Sequence, residues 1–328
     1  MAKLKVRAVP PASGGSAPLE GVMDEFDRHL AQREAHARVA ASDRPTRYGD
    51  ALNRYLEAAT RPAGVSAPAA ARPPDIAAAA GLVVVGADDS PASCTAVDQA
   101  AIEAQLRGWA LKIMTVRHPG RPGGPARGAG AELLERLSDR VRTSTPSTVV
   151  TSRFAVGSVS SSLLLEARHA DLLVVGHRHG RGGSAFGLSL AHRLAGLHPG
   201  VMLVVRMPGW PPGPGFGNRP LVVGVEHAGV STPAAQFALR EAHLRGCELI
   251  VVRAGRSLAS ASRVETVDGV IVHHRTVDDD PVNTLTELSH HAAAVVVGRR
   301  GSGAHPLTML GSISRTMLER AGCPVFLV

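Results

Sequence analysis

Aromatic side chains are nearly absent from this 328-residue chain, in which Phe, Trp and Tyr together make up 3%. The apolar interior must therefore be built from Val, Leu, Ile and Ala within a hydrophobic fraction of 44%. Lysine is almost missing as well, standing only at positions 3, 5 and 112, so the net charge of +8 is nearly all arginine. Five of those eight charges fall in residues 81–210, and they are dispersed. Nucleic-acid binding would need a basic stripe interleaved with aromatics, and the chain has none. Cysteine is scarce and unpaired: Cys94, Cys247 and Cys323 form no CxxC and are odd in number, which argues against a disulfide framework or a zinc site. The N-terminus carries no apolar core of signal-peptide type, and the longest apolar run, residues 76–87, is too short to span a bilayer. These absences predict a soluble, cytoplasmic protein with neither nucleic acid nor membrane as partner.

What is present is repetition. At an offset of 138, Val84-Val85-Gly86 falls on Val222-Val223-Gly224, and Glu103-Ala104 with Leu106-Arg107-Gly108 falls on Glu241-Ala242 with Leu244-Arg245-Gly246. At an offset of 122, Leu163, His169-Ala170 and Val174-Val175-Gly176 fall on Leu285, His291-Ala292 and Val296-Val297-Gly298. The offset shrinks because the second copy has less chain between its second and third strands. A repeat of domain size means tandem domains, not a solenoid.

The order of elements follows from apolar runs and their punctuation. Residues 1–80 read as an N-terminal helical or disordered extension. Leu19, Val22, Met23, Phe26 and Leu30 recur at helical spacing, a weaker stripe follows at Leu52, Tyr55, Leu56 and Ala59, and a Pro/Ala linker covers 61–74. Two readings of this extension stand: a helical hairpin or partly disordered arm lying on its own body, and a docking element for a protein partner. Residues 81–207 predict strands at 82–85, 110–116, 148–156, 171–175 and 201–205. Helices follow Ser90-Pro91 and lie around 131–141, 161–168 and 188–197, with Ser90 or Ser93 as a cap. Residues 208–219 form a Pro/Gly linker. Residues 220–328 repeat the order with strands at 221–225, 248–252, 270–277, 294–297 and 325–328, and with helices up to Arg245, after Pro281 and after Gly311. No clear helix separates the second and third strands, and residues 256–268 read as a polar connection. Alternation of this kind makes a parallel sheet covered on both faces. The terminal strand 325–328 needs a neighbour, and the expected one is 201–205.

Several catalytic motifs are missing too. There is no GxxxxGK[ST], Gly182-Gly183-Ser184-Ala185-Phe186 fails a nucleophile elbow at its last position, and Gly301-Ser302-Gly303-Ala304-His305-Pro306 fails the dinucleotide fingerprint likewise. In His273-His274 and His290-His291 the neighbours diverge on a strand or helix, so neither pair converges on one metal. Asp278-Asp279-Asp280 could hold Mg²⁺ beside phosphates, or Asp280 could cap a helix that starts at Pro281. The stretch 294–303 is different: a β-branched strand breaks into glycines at 298, 301 and 303, and Gly311-Ser312 opens a helix. Glycine lets backbone approach an anion, and helix-start N–H groups point at it.

The spacing Gly298-x2-Gly301-x9-Gly311-Ser312 resembles the nucleotide-binding pattern of the universal stress protein family, in its ATP-binding branch. The resemblance takes in Val84-Val85-Gly86-Ala87-Asp88-Asp89-Ser90-Pro91 and Gly322-Cys323-Pro324-Val325-Phe326-Leu327-Val328, covers residues 81–328, and leaves 1–80 outside it. It implies two tandem five-stranded parallel-sheet domains, Rossmann-like and of the adenine nucleotide alpha hydrolase kind. They would form an intramolecular pseudo-dimer, with homodimerisation left open, and ATP, with or without Mg²⁺, would lie at the carboxyl ends of the strands. By that resemblance Gly301, Gly311, Ser312 and Ser314 would hold phosphates and Gly298 and Arg300 would lie along the ribose and phosphates. Gly224, Glu226 and Val252 would face the adenosine, with Val297 and Ile313 alongside. Glu226 departs from the family's usual Asp. A weaker first-repeat site would comprise Gly86, Asp88, Gly176, Gly180, Gly187 and Ser189, but there the loop is a residue too long and Gly187-Leu188-Ser189 breaks the Gly-Ser pair. The implied function is an ATP-binding regulatory protein without dedicated catalysis. The alternatives are slow ATP hydrolysis on the same fold, and an interaction protein that works through its N-terminal arm.

Overall fold

The computed structural model describes residues 45–60, 79–118, 127–177, 189–206, 215–226, 232–255, 263–277, 280–300 and 310–328. All of these belong to one compact unit spanning Ala41–Val328. The stripe from Leu19 to Leu30, Gly180, Gly187, Gly301, Asp278 and Asp279 lie outside the described residues. The chain runs α1 (Arg47–Thr60), β1 (Leu82–Gly86), α2 (Pro91–Arg107), β2 (Ala110–Arg117), α3 (Arg127–Ser144), β3 (Val150–Val156), α4 (Val159–Ala167), β4 (Leu172–His177), α5 (Leu190–Leu197) and β5 (Met202–Arg206). After a 3₁₀ turn at Phe216–Asn218 come β6 (Leu221–Val225), α6 (Pro233–Arg245), β7 (Leu249–Ala254), β8 (Arg263–Val267), β9 (Val270–Val277), α7 (Pro281–Ser289), β10 (Ala294–Val297), α8 (Ser312–Arg320) and β11 (Val325–Leu327).

These strands make one sheet in the order β3-β2-β1-β4-β5-β11-β10-β6-β7-β9-β8. The expected terminal neighbour is found: β11 pairs antiparallel with β5, with Val325 opposite Val204 and Phe326 opposite Leu203. Elsewhere, apart from the edge strand β8, each half is parallel, as its near-continuous Val/Leu/Ile central strands require. One face is covered by α1, α2, α3 and α6, the other by α4, α5, α7 and α8, and each face carries its own apolar core.

One difference from the expected pair of five-stranded sheets has a physical cause. Residues 263–267 are not a polar connection but strand β8, which pairs antiparallel with β9. The turn between them is Asp268-Gly269, with φ of +48° and +80°, the type I′ geometry that suits a two-residue hairpin. A hairpin thus stands where the first half has α3. Helix α1 packs inside the same unit as the sheet, in line with the reading of an extension lying on its own body. Tyr48 and Tyr55 are fully buried, and the Thr46 hydroxyl donates to the Gly217 carbonyl at 2.7 Å. A Cβ on Gly217 would stand 2.4 Å from Gly49 Cα, so this close approach of two backbones needs a glycine at 217.

Under α1 the repeated Glu and Arg residues meet. Arg107 pairs with Glu103 on its own helix and with Glu241 at 2.6 Å, while Arg245 pairs with Glu241 at 2.7 Å and with Glu103 at 2.5 Å. All four side chains are at most 8% exposed. The Arg245 guanidinium also lies 4.1 Å from the Tyr48 ring centroid. The two copies of one helix pattern therefore close on each other through a crossed, buried quartet.

Candidate functional site

In open α/β sheets ligands bind outside the carboxyl ends of the strands, where the strand order reverses. In this sheet that point falls between β1 and β4 in the first half and between β6 and β10 in the second. The calls on Gly224, Glu226, Val297, Gly298, Arg300, Gly311, Ser312, Ile313 and Ser314 all land around the second of these points. They do not all face outward. An added Cβ on Gly224 would stand 2.8 Å from Leu285 Cδ1, and one on Gly86 would stand 2.9 Å from Leu163 Cδ1. Both glycines thus admit a leucine from the overlying helix, α7 or α4. Val252 and Val297 are buried in the same core. Glu226, Arg300 and Ser312 are exposed at the open end, with Gly298 and Ile313 half-buried beside them.

The two described ends of the connection between β10 and α8 are held by three hydrogen bonds. Arg299 N–H donates to the Val328 carbonyl at 3.0 Å, Gly311 N–H donates to the Arg299 carbonyl at 2.8 Å, and the Ser314 hydroxyl donates to the Gly298 carbonyl at 2.5 Å. Gly311 and Ser314 accordingly hold the start of α8 against the end of β10. That start is unusual here. Helices α2, α4, α5, α6 and α7 begin on Ser90, Ser158, Ser189, Thr232 and Asp280, each of which caps its helix through a side-chain oxygen. Helix α8 begins on Gly311, and among the described residues no side chain caps it. A helix start without a capping oxygen presents N–H groups and the positive end of the helix dipole to an anion.

In the first half several of the candidate residues are engaged within the chain. Ser189 caps α5, accepting from His192 N–H at 3.3 Å, and its hydroxyl also meets His192 Nδ1 at 2.7 Å. Asp88 Oδ1 is taken up locally, accepting from Ser90 N–H at 3.0 Å and from the Ser93 hydroxyl at 2.6 Å. A Cβ on Gly176 would lie 2.5 Å from the Ala92 carbonyl oxygen, so the start of α2 closes down on that strand end. Among described atoms a Cβ on Gly298 would meet nothing nearer than the Arg300 carbonyl at 3.5 Å.

The two arginines beside the second loop separate. Arg300 is exposed, whereas Arg299 turns into the other half, where its guanidinium donates to the carbonyls of Ala195, at 3.1 Å, and Gly200. Burial draws its pKa down to about 10, which leaves it charged at neutral pH. The partners of Arg299, about 100 residues away in the chain, carried no local signal in the sequence. Asp280 is settled as a cap, accepting from Val282 N–H at 3.0 Å. His273 and His274 diverge as expected, to Glu248 and Glu265 respectively, each at 2.8 Å. Among the described residues there is no cluster of metal-ligating side chains and no helix long and apolar enough to cross a membrane.

The model of the universal stress protein family matches residues 81–206 and again 253–328. The chain belongs to that family. Its universal stress relatives include Rv1996 of Mycobacterium tuberculosis, 28% identical with 74% of this chain and 93% of the relative covered. A universal stress protein of Mycolicibacterium smegmatis is 27% identical, covering 75% and 96%. Among solved structures, a universal stress protein from Archaeoglobus fulgidus superposes with a TM-score of 0.59 at 14% identity, covering 75% of this chain and 97% of that one. A putative universal stress protein from Pseudomonas aeruginosa gives 0.51 at 14%, covering 77% and 94%. At such identities the structural likeness speaks for the universal stress fold alone.

Proposed function

We propose that this universal stress protein binds an adenine nucleotide, ATP, in its second half and acts as a regulatory stress-response module, not as a dedicated catalyst. The observation that carries the reading is the start of α8, left without a side-chain cap at the strand-order reversal between β6 and β10. The N–H groups of Ser312 and Ile313 would take phosphate oxygens, Arg300 would add an exposed positive charge, and Glu226 would meet the nucleoside. Gly301, by the family pattern, would complete the phosphate loop. The first half, whose Ser189 and Asp88 are already engaged within the chain, is assigned no nucleotide. In this reading 81–207 and 220–328 are the two universal stress units, the second of them competent.

Hydrolysis would require a positioned water and charge stabilisation at the terminal phosphate. Arg299, committed to the first half, does not supply that charge. Titration calorimetry with ATP, with and without Mg²⁺, tests the reading, and a phosphate-release assay on the same sample tests the absence of turnover. Saturable binding of one ATP per chain without phosphate release is the expected result. Two equivalent sites, or none, would overturn it.

A further inference from the structure

Arg299 joins two things that the sequence keeps apart. Its backbone belongs to the second-half loop, where its carbonyl holds Gly311 N–H at 2.8 Å and so fixes where α8 begins. Its guanidinium belongs to the first half, gripping the carbonyls of Ala195 and Gly200 at the C-terminal end of α5. The Ala195 carbonyl is one that a helix end leaves unsatisfied, a cation there is favoured by the helix dipole, and Gly200 lies in the turn just beyond. A second arginine makes the reverse crossing. Arg206, at the end of β5, donates to the carbonyls of Leu318 and Glu319 at the C-terminal end of α8. The two arginines brace the same junction, but only Arg299 has its own backbone in the loop that faces the proposed ligand.

We propose that Arg299 is a positioning residue for the second-half nucleotide site, transmitting the state of helix α5 in the first half to the start of α8. This inference rests on the nucleotide reading of the preceding subsection. Arg299 touches no ligand; it acts through Gly311. With the guanidinium anchored, the Arg299 carbonyl points at Gly311 and the first-turn N–H groups of α8 converge on one direction. With the anchor lost, a half-buried arginine has to find other partners, and the loop turns with it. By linkage the coupling runs both ways, so ATP in the second half tightens the end of α5.

The test compares wild type with Arg299→Ala, Arg299→Lys and Arg206→Ala in the full chain, reading amide hydrogen exchange and ATP calorimetry. Arg299→Ala should speed exchange at Gly311 and weaken ATP binding about tenfold, within the usual range of site–site coupling. Arg299→Lys keeps the charge but cannot span both carbonyls, and should fall between. Arg206→Ala loosens the same junction without entering the loop, and should leave Gly311 exchange and ATP affinity as in wild type. In wild type, ATP should slow exchange of the His198 amide, which donates to the Leu194 carbonyl at the end of α5. Unchanged Gly311 exchange and affinity in Arg299→Ala, or equal effects from Arg206→Ala, would overturn the proposal. If wild type binds no ATP while Gly311 still loosens in Arg299→Ala, the nucleotide assignment fails and only the mechanical link survives.

Discussion

Glu103, Arg107, Glu241 and Arg245 show how a repeated pattern gains a role that neither copy has alone. Burial by itself would raise the pKa of Glu103, but Arg245 and Arg107 overrule it and hold the carboxyl below its usual range. Such a group contributes stability that is present above the ordinary glutamate pKa of about 4.3 and is lost as pH falls through the lower folded value. Removing one cation leaves buried charge uncompensated, so Arg245→Met should lower the unfolding free energy by about 3–5 kcal/mol in urea denaturation. A loss under about 1 kcal/mol would class the quartet with screened surface pairs. The repeat itself was legible, because Glu103 and Arg107 recur as Glu241 and Arg245. The crossing was not, since Arg245 reaches Glu103 across 142 positions of chain. The same limit hid the direction of Arg299, whereas the glycines of its loop stood out in the sequence.

The strands and helices were mostly legible because parallel strands buried on both faces leave dense Val and Leu runs between capped helices. β8 escaped because its residues, Arg263-Val264-Glu265-Thr266-Val267, lie at a sheet edge and need no apolar run. Its readable signal was Asp268-Gly269 set between Val267 and Val270, a hairpin turn signature. Gly269 sits at φ +80° with open space around it, so Gly269→Ala should cost about 1–2 kcal/mol through backbone strain alone. Thermal denaturation checks this, and an unchanged melting temperature would mean that the turn had rearranged. Helix α1 was visible as a stripe, but its bed was not. Tyr55 donates its hydroxyl to Asp98, which is also held by Arg140 at 2.6 and 2.7 Å. Tyr55→Phe should therefore destabilise by about 1.5–3 kcal/mol, the net worth of a hydrogen bond to a charged group, and leave ATP binding alone.

Across the whole molecule the two halves share one sheet, and the junction carries its own pH response. Burial lowers the pKa of His192, and burial with Arg299 nearby lowers that of His198. A histidine held neutral in this way contributes stability that is present near pH 7 and lost as pH falls through the ordinary value of about 6.5 toward the folded one. Melting temperature should thus drop between pH 7.5 and 5.5 (roughly the range set by that value), and the double variant His192→Gln, His198→Gln should flatten the slope. An identical slope in the variant would place the pH response elsewhere. The central claim is that the uncapped start of α8 is the nucleotide site, and one substitution addresses it directly. Gly311 has φ −66° and ψ 159°, which any residue adopts, so Gly311→Asp can supply the missing cap without backbone strain. Its carboxylate would occupy the first-turn N–H groups and repel phosphate. Calorimetry of ATP against wild type and Gly311→Asp should show tight binding in the first and at least about a tenfold loss (some 1.4 kcal/mol) in the second, with an equal or higher melting temperature. ATP affinity unchanged by Gly311→Asp in a folded protein would contradict the account.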